Sequence, residues 1–448
     1  MLTFVAMLVD TLPLLVEAHP PFEWDRLGQH LPYEWIEQAV QASGSASIRR
    51  RRLPAQQVVW LVIALALYRH QSVSEVVDAL GLALPAPDAS FVSKSAIAQA
   101  RQRTGAAPLA WLFHECARNW SVQDQAHYLF KGFSLFAMDG TTLRTADSAA
   151  NREHFGSSTA AHDRVGSYPQ LRAVTLTAIS THLVRDVEFG PYDVNEMISA
   201  RQLVARVPQN SITVFDKGFL SAQLLCNLVS GGANRHFIIP AKSNTRWEVL
   251  SGEPGDQLVR MRVSPQARKA CPELPEFWQA RAVLAVDARG RQRVLLSSLC
   301  DREQFKAAEI VSCYARRWQV ETSYRELKQS MLGMALTLRS QTVEGVYQEF
   351  WGALIAYNLI RLEVARAALE AGRTPADLSF IRAFHTIQYE MSWAAVTRSY
   401  GKLPALLVRL RERLKQLANK KRPGRSCARA VKSRPFRYTV RNLKRDLN

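Results

Sequence analysis

Hydrophobic positions change period along this chain, and the changes divide it. Up to about residue 130 apolar residues recur at helical spacing, in VVWLVIALALYRH from Val58 and in VSEVVDALGLAL behind Ser72, a residue suited to capping a helix. The opening MLTFVAMLVDTLPLLVEAHP reads as an amphipathic packing helix. A Pro-rich break, LPAPDAS (84–90), precedes SKSAIAQARQRTG (93–105), a short helix with Gln99, Arg101 and Arg103 on its polar side. Period two then takes over. FSLFAMDG (133–140) is a short apolar run ending at a turn glycine, and RAVTLTAIS (172–180) pairs with HLVRDVEFGPYD (182–193) about a turn near Ser180–His182. A helix (195–208), the strand SITVFDKG (211–218) and another helix (221–232) follow. Strands, helix, strand, helix predicts an α/β layer with a mixed sheet.

Residues 233 to about 300 return to strand-like pieces: RHFIIPA, DQLVRMRV and ARAVLAVDARGRQRVLLSSL, the last a hairpin around Arg289–Arg291. From 306 onward the pattern is helical, notably over 345–372 and 379–418. The expected divisions are a helical domain over 1–130, the first part of an α/β core over 131–232, a β-rich insertion over 233–303, a helical second part of the core over 304–400, and a basic region over 401–448.

Charge sharpens this picture. The chain of 448 residues carries 58 Lys+Arg against 39 Asp+Glu, a net +19 that attracts polyanions. Residues 409–448 hold 15 of those cations and only Glu412 and Asp446 as acids, with Phe436 and Tyr438 interleaved. Such a tail holds phosphates non-specifically, with binding that falls steeply as salt rises. The run SIRRRRLP (47–54) reads equally as a phosphate clamp or a solvated helix entrance. The longest apolar run, VVWLVIALALY (58–68), falls short of the ~20 residues a spanning helix needs, which removes a membrane partner. Six scattered cysteines (116, 226, 271, 300, 313, 427) show no CxxC or zinc-type spacing, as in a reduced, cytoplasmic protein. Nucleic acid is the leading partner. The helices before and after LPAPDAS fit a helix-turn-helix variant, and they fit a plain helical bundle equally well because the connector is long.

Against this basic background one carboxylate stands out. In YARRWQVETSYRELKQSM (314–331), read as one helix, Tyr314, Arg317, Glu321 and Lys328 fall within an arc of about 60°, while Glu326 points about 140° from Glu321. Alone, Glu321 reads as a salt-bridge partner for Arg317 one turn earlier. Two aspartates change that reading. Asp139 and Asp216 each end an apolar strand and are each followed within two residues by a glycine, and neighbouring strand ends are where ligand crevices form in α/β sheets. Two aspartates and a glutamate from a covering helix make an oxygen-ligand set suited to Mg²⁺, with Mn²⁺ as substitute. Two such ions ~4 Å apart bracket a scissile phosphate. Arg317 and Lys328 then hold flanking phosphates, and Tyr314 donates to a phosphate or stacks on a base.

The spacing Y-x2-R-x3-E-x6-K, here Tyr314, Arg317, Glu321 and Lys328, resembles the signature of bacterial DDE transposases of the insertion sequence 4 family. AMDGTTLRT (137–145), ITVFDKGF (212–219) and LLSSLCDREQF…YARRWQVETSYRELKQ (295–329) resemble the three blocks of that family's catalytic domain, and RRRRLPAQQVVWLVIALALYR with SKSAIAQARQR resembles its N-terminal domain. The resemblance implies a ribonuclease-H-like, retroviral-integrase-type catalytic domain interrupted by the β-rich insertion, which the 105 residues between Asp216 and Glu321 accommodate. Before it stands a helical DNA-binding domain and after it a helical, basic C-terminal region. It implies that Asp139, Asp216 and Glu321 are the catalytic, metal-binding triad with two ions per site. It further implies cleavage of double-stranded DNA at the inverted-repeat ends of an insertion sequence, strand transfer into target DNA, and a homodimer or larger synaptic assembly in the bacterial cytoplasm. Lys242, in FIIPAKSNT, sits where the family often carries basic residues and is a candidate backbone contact, as are Arg101 and Arg103. Trp247 and Trp278 read as core residues.

Two other functions fit the same motifs: a DNA-binding regulator of transposition without catalysis, and a nuclease that cuts without joining. Asp147, Asp163, Asp186 and Asp193 close no strand at a glycine turn, and His154, His162, His182 and His236 show no paired spacing. The hydroxyls after Asp139 have no nucleophile–base arrangement around them.

Overall fold

The computed structural model describes residues 31–46, 53–79, 92–125, 127–160, 164–165, 168–286, 290–332, 337–397, 411 and 414–415. Their contacts fall into two units interleaved along the chain. One holds the described residues up to Trp120, Thr145–Asn151 and those from Glu326 onward; the other holds those within Ser121–Arg144 and Arg152–Arg325. The N-terminal packing helix, most of SIRRRRLP, the LPAPDAS break, residues 287–289 of the hairpin turn and nearly all of the basic tail lie outside the described residues.

The first unit begins with helices α1 (Tyr33–Ala42), α2 (Ala55–Leu67), α3 (Val73–Ala79), α4 (Lys94–Thr104) and α5 (Ala107–Gln125, whose last residues belong to the other unit). The sequence of α2, AQQVVWLVIALAL, is apolar all round, and every residue from Gln57 to Leu67 is buried, as expected of a central helix. Ser72 caps α3 reciprocally: its hydroxyl accepts from the Glu75 N–H at 3.3 Å while the Glu75 carboxylate accepts from the Ser72 N–H at 2.6 Å. Ser93 caps α4, and Gly105, at φ 68°, ends it in the left-handed region.

The second unit is built on a sheet. In chain order it comprises β1 (Ser134–Thr145), the short α6 (Ala149–Phe155, shared with the first unit), β2 (Gln170–Ala178), β3 (Val184–Pro191), α7 (Glu196–Val204), β4 (Ser211–Phe215), α8 (Ala222–Ser230), β5 (Arg235–Pro240), β6 (Glu248–Glu253), β7 (Asp256–Arg262), α9 (Pro265–Ala270), β8 (Phe277–Val286), β9 (Gln292–Ser297), α10 (Ala307–Ala315) and α11 (Trp318–Arg325). The strands run in the order β3-β2-β1-β4-β5-β9-β8-β7-β6. β1, β4 and β5 are mutually parallel, and the remaining pairs are antiparallel. The expected mixed α/β sheet is therefore present. The strand-rich segment does not stand apart from it, since β5 pairs with β4 and β9 pairs with β5. The expected division at 232/233 falls ahead of β5.

Alternation along the strands sorts their side chains by face. Leu135 and Ala137 of β1, Ile212 and Val214 of β4, Ile238 of β5, Val283 and Ala285 of β8 and Leu295 of β9 join one apolar cluster with Ile310, Cys313 and Tyr314 of α10 and Val320 and Tyr324 of α11. So α10 and α11 cover this face. Helices α7 and α8 follow β3 and β4 and pack on β2, β3 and β5.

After α11 the backbone widens into a π-helical turn, Glu326–Met331, and the first unit resumes with α12 (Val343–Glu370) and α13 (Phe380–Thr397). α12 lies close along α2: a Cβ added at Gly352 would stand 2.7 Å from Val62 Cγ1 and 2.8 Å from its carbonyl oxygen. Among the described residues no helix is long and apolar enough to cross a membrane.

Candidate active site

Register places the two aspartates side by side. β1 and β4 pair in parallel from Ser134–Ser211 to Met138–Phe215, so the next residues on the two chains are Asp139 and Asp216. Two positions beyond Ala137 and Val214, both project onto the face that α10 and α11 cover. The sequence-based reading had β1 end at Asp139 with Gly140 as its turn. Instead β1 runs on to Thr145, with Asp139 opposite Thr175 and Gly140 opposite Val174 in the antiparallel pair with β2. Only the parallel neighbour stops, which opens the edge at Asp139. β4 does end as expected: Asp216 caps a single 3₁₀ turn, its carboxylate 3.4 Å from the Gly218 N–H.

The reading of 314–331 as one helix is also corrected. α10 stops at Ala315, Arg316 and Arg317 form a junction with i→i−3 bonds (Arg316 N to Cys313 O at 3.2 Å, Arg317 N to Tyr314 O at 3.0 Å), and α11 starts at Trp318. Beyond Arg325 the π-helical turn changes the rotation per residue, so the 100° wheel no longer relates Lys328 to Glu321. The i,i+4 pair survives, with Arg317 Nη2 donating to Glu321 Oε1 at 3.0 Å. The junction turns the other edge of the guanidinium inward, and Nη1 donates to Asp139 Oδ2 at 3.3 Å. Arg317 thus joins a strand carboxylate to a helix carboxylate.

Electrostatics follow from this geometry. Burial pushes the Asp139 carboxyl up to about 6; the Gly140 N–H, 2.8 Å from Oδ1, and Arg317 restrain the rise, and Asp216 and Glu321 add to it. Burial pulls Arg317 down, but Tyr314, Asp139, Asp216 and Glu321 together outweigh it and leave the group above its ordinary value. Tyr314 is buried beside Arg317, and burial raises its hydroxyl.

Two residues that sequence reasoning passed over pack at Asp139 and Gly140. The Tyr324 hydroxyl donates to the Asp139 carbonyl at 2.6 Å and is 2.8 Å from Thr175 Oγ1, so it ties α11 to β1 and β2. Burial first, and then the Asp139 charge, push that hydroxyl well above the usual tyrosine range. Glu196, at the start of α7, lies against Gly140, where an added Cβ would stand 2.6 Å from its carboxyl carbon. Tyr324 sits three positions after Glu321, one turn on in the same helix, which is the one signal the sequence offered. Nothing in the sequence pairs Glu196 with Gly140.

Comparison with known proteins decides the family. Residues 21–114 match the insertion element 4 transposase N-terminal family and residues 131–359 match the transposase DDE domain. The chain is 34% identical, over 92% of its own length and 92% of the relative's, to the transposase InsG for insertion sequence element IS4 of Escherichia coli (strain K12). The chain belongs to the IS4 family of transposases. It is also 36% identical to the putative transposase InsZ of the same organism, over 52% of this chain and 76% of that one. The cryo-EM structure of a piggyBac transposase synaptic complex with hairpin DNA is similar over 92% of this chain and 86% of that one, at 12% identity and a TM-score of 0.42.

A DDE transposase domain implies divalent metal ions. Asp139, Asp216 and Glu321 offer oxygen donors, as hard divalent cations require. Among the described residues no three His, Cys, Asp or Glu side chains stand together in a metal-holding group. The Arg317 guanidinium lies between Asp139 and Glu321, a cation paired with two carboxylates of which one is largely buried. The donor chemistry of the three carboxylates suits a divalent metal ion.

The remaining expected contacts of this transposase are distributed. Lys242 is exposed just beyond β5, its Nζ 3.5 Å from the Leu220 carbonyl in the turn that follows Asp216. Lys328 is half-buried in the π-helical turn and belongs to the helical unit, as do Arg101 and Arg103. Arg101 is turned inward: its Nε donates to Gln348 Oε1 at 3.2 Å and its Nη2 to Ser340 Oγ at 3.3 Å. Burial lowers its pKa. Arg103 is exposed on α4.

Proposed function

We propose that this IS4-family transposase cuts double-stranded DNA at the inverted-repeat ends of its insertion sequence and joins the strands to target DNA, using Asp139, Asp216 and Glu321 as its catalytic carboxylates. The observation that carries the reading is the adjacent register of Asp139 and Asp216, with Arg317 linking Asp139 to Glu321. The strand order β3-β2-β1-β4-β5, with β1, β4 and β5 parallel and the β2–β3 pair antiparallel beside them, supports a ribonuclease-H-like core. The three carboxylates would hold two Mg²⁺ or Mn²⁺ ions, which when bound activate the attacking oxygen and stabilise the leaving one. The chain's own residues position the DNA. Arg317, once released from a carboxylate, offers a planar fork to a phosphate. Tyr314 faces the same site from α10, and Lys242 and Lys328 contribute further backbone contacts. Arg103 presents a cation from the N-terminal helices, while Arg101 contacts DNA only if it leaves Gln348 and Ser340. Two element ends must be cut in step, so the active form is a dimer or larger assembly on DNA; a single chain per DNA by light scattering counts against that.

The test is cleavage of a labelled fragment carrying the DNA that flanks this gene, with Mg²⁺, Mn²⁺ or EDTA. Wild type runs beside Asp139→Ala, Asp216→Ala and Glu321→Ala, with a target plasmid present to score joining. Metal-dependent cutting at a repeat boundary, lost in all three variants while DNA binding persists, is the expected result. Cutting that survives any one of the three removes that residue from the triad.

A further inference from the structure

Alternation along β9 carries one more cation onto the face that holds the carboxylates. Leu295 belongs to the apolar cluster around Tyr314, so Arg293, two residues earlier, leaves the strand on the same side. Its guanidinium carbon lies 5.9 Å from the centroid of the Tyr314 ring, and its charge acts on that tyrosine's hydroxyl along with those of Arg317 and Asp216. β9 runs antiparallel to β5 with Leu295 opposite Pro240, and the Ala241 N–H donates to the Val294 carbonyl at 2.9 Å. Arg293 therefore stands across from Lys242, at the end of the sheet where Asp216 emerges.

Pairing separates Arg293 from Arg317. Arg317 is held by two carboxylates. Arg293 is exposed, and among the described residues no carboxylate is within ion-pair distance of it. A guanidinium lying over an aromatic ring keeps its N–H fork for a partner, and a tetrahedral phosphate matches that fork in two places. At the rim of a site for a polyanion, an uncommitted fork is suited to a phosphodiester. If Arg293 only shielded Tyr314 with its methylene arm, its charge would be immaterial.

We propose that Arg293 is a positioning residue that grips a backbone phosphate of the DNA strand entering the site, with the Tyr314 ring as the ledge on which its guanidinium rests. This rests on the transposase reading of the carboxylates, and it gives the strand-rich segment a direct part in seating the DNA.

The test uses the full chain and a fluorescein-labelled duplex made from the DNA flanking the gene. Anisotropy in EDTA gives the slope of log K against log salt, and nicking in Mg²⁺ gives kcat/KM. Arg293→Gln removes the charge and the fork; Arg293→Met removes the charge but keeps the arm on Tyr314; Arg293→Lys keeps the charge alone. Gln and Met are each expected to lower the salt slope by about one phosphate's worth, ~0.9, and nicking by about ten-fold. Lys is expected to restore the slope but only part of the nicking rate, with all three variants melting as wild type. A wild-type slope in both Gln and Met overturns the proposal. A slope that depends on Arg293 in a wild-type protein that never nicks upholds the phosphate contact and removes the catalytic reading instead. A wild type that binds no duplex overturns both.

Discussion

Asp139 shows what it costs to bury a carboxylate. Burial raises it from 3.8 to about 6, so between those pH values the folded protein binds more protons at this group than the unfolded chain does. Stability contributed here is therefore present at low pH and lost as pH rises through about 6, with a full cost of about 3 kcal/mol at neutral pH. Asp139→Asn is accordingly expected to melt higher than wild type at pH 7.5 in EDTA, to lose that advantage by about pH 4, and to be inactive in DNA cleavage. Equal melting temperatures at both pH values would remove the strain assigned to this residue. Tyr324 works in the opposite direction, since its hydroxyl satisfies the Asp139 carbonyl and Thr175 inside the core. Tyr324→Phe is expected to cost about 1–3 kcal/mol by leaving the Asp139 carbonyl without this donor. It should slow cleavage more than it weakens DNA binding; a variant that loses binding and cleavage in equal measure would assign Tyr324 to DNA contact instead.

Among the elements, the position of α10 and α11 decides whether Glu321 reaches the strand aspartates at all. A buried strut ties the loop ahead of α10 to the sheet. Arg281 of β8, 1% exposed, holds Asp256 of β7 through both carboxylate oxygens at 2.7 Å and donates to the carbonyls of Leu299, Asp301 and Phe305, in the loop that leads into α10. Arg281→Met is expected to destabilise by about 3–5 kcal/mol, because it strips partners from three carbonyls and a carboxylate. It should also reduce cleavage, and a variant that melts and cuts as wild type would show that the loop holds itself. Much of this architecture was legible in the sequence. Period two gave β2 and β3 as a pair, the Asp139 and Asp216 blocks marked β1 and β4 as neighbours, and an apolar helix period gave α2 and α12. Less local features were not legible. Whether β1 ends at Asp139 depends on its two neighbours, one of which stops while the other continues, and no residue in FSLFAMDG encodes that difference. The break at Arg316–Arg317 has no glycine or proline to announce it; it reconciles the packing of Tyr314, Val320 and Tyr324 on one sheet face. Arg281 and Arg293 appeared as ordinary strand residues because their roles depend on partners brought in from distant parts of the chain.

For the whole molecule, the charge surplus and the proposed catalytic residues lie in different parts of the chain. Residues 416–448 hold eleven Lys/Arg and one acid, Asp446, which is a net +10 of the total +19. Just before them, Arg411 and Lys415 are already committed to the helical unit, Arg411 to Glu363 at 3.6 Å and Lys415 to Glu370 at 2.9 Å. Truncation after Lys415 therefore removes cations without cutting these ion pairs. Each phosphate neutralised by a cation adds ~0.9 to the slope of log K against log salt. If the segment supplies the non-specific grip, the truncated chain loses several units of slope and binds duplex DNA far more weakly near physiological salt. Cleavage at low salt should persist, because Asp139, Asp216, Glu321, Arg317 and Arg293 all lie in the sheet unit. Anisotropy titrations across a salt series, run beside the cleavage assay, separate the two contributions. An unchanged slope would place the grip on the folded units. Loss of cleavage at low salt, with binding to the terminal fragment intact, would mean that the segment takes part in the reaction and that this division of labour is wrong.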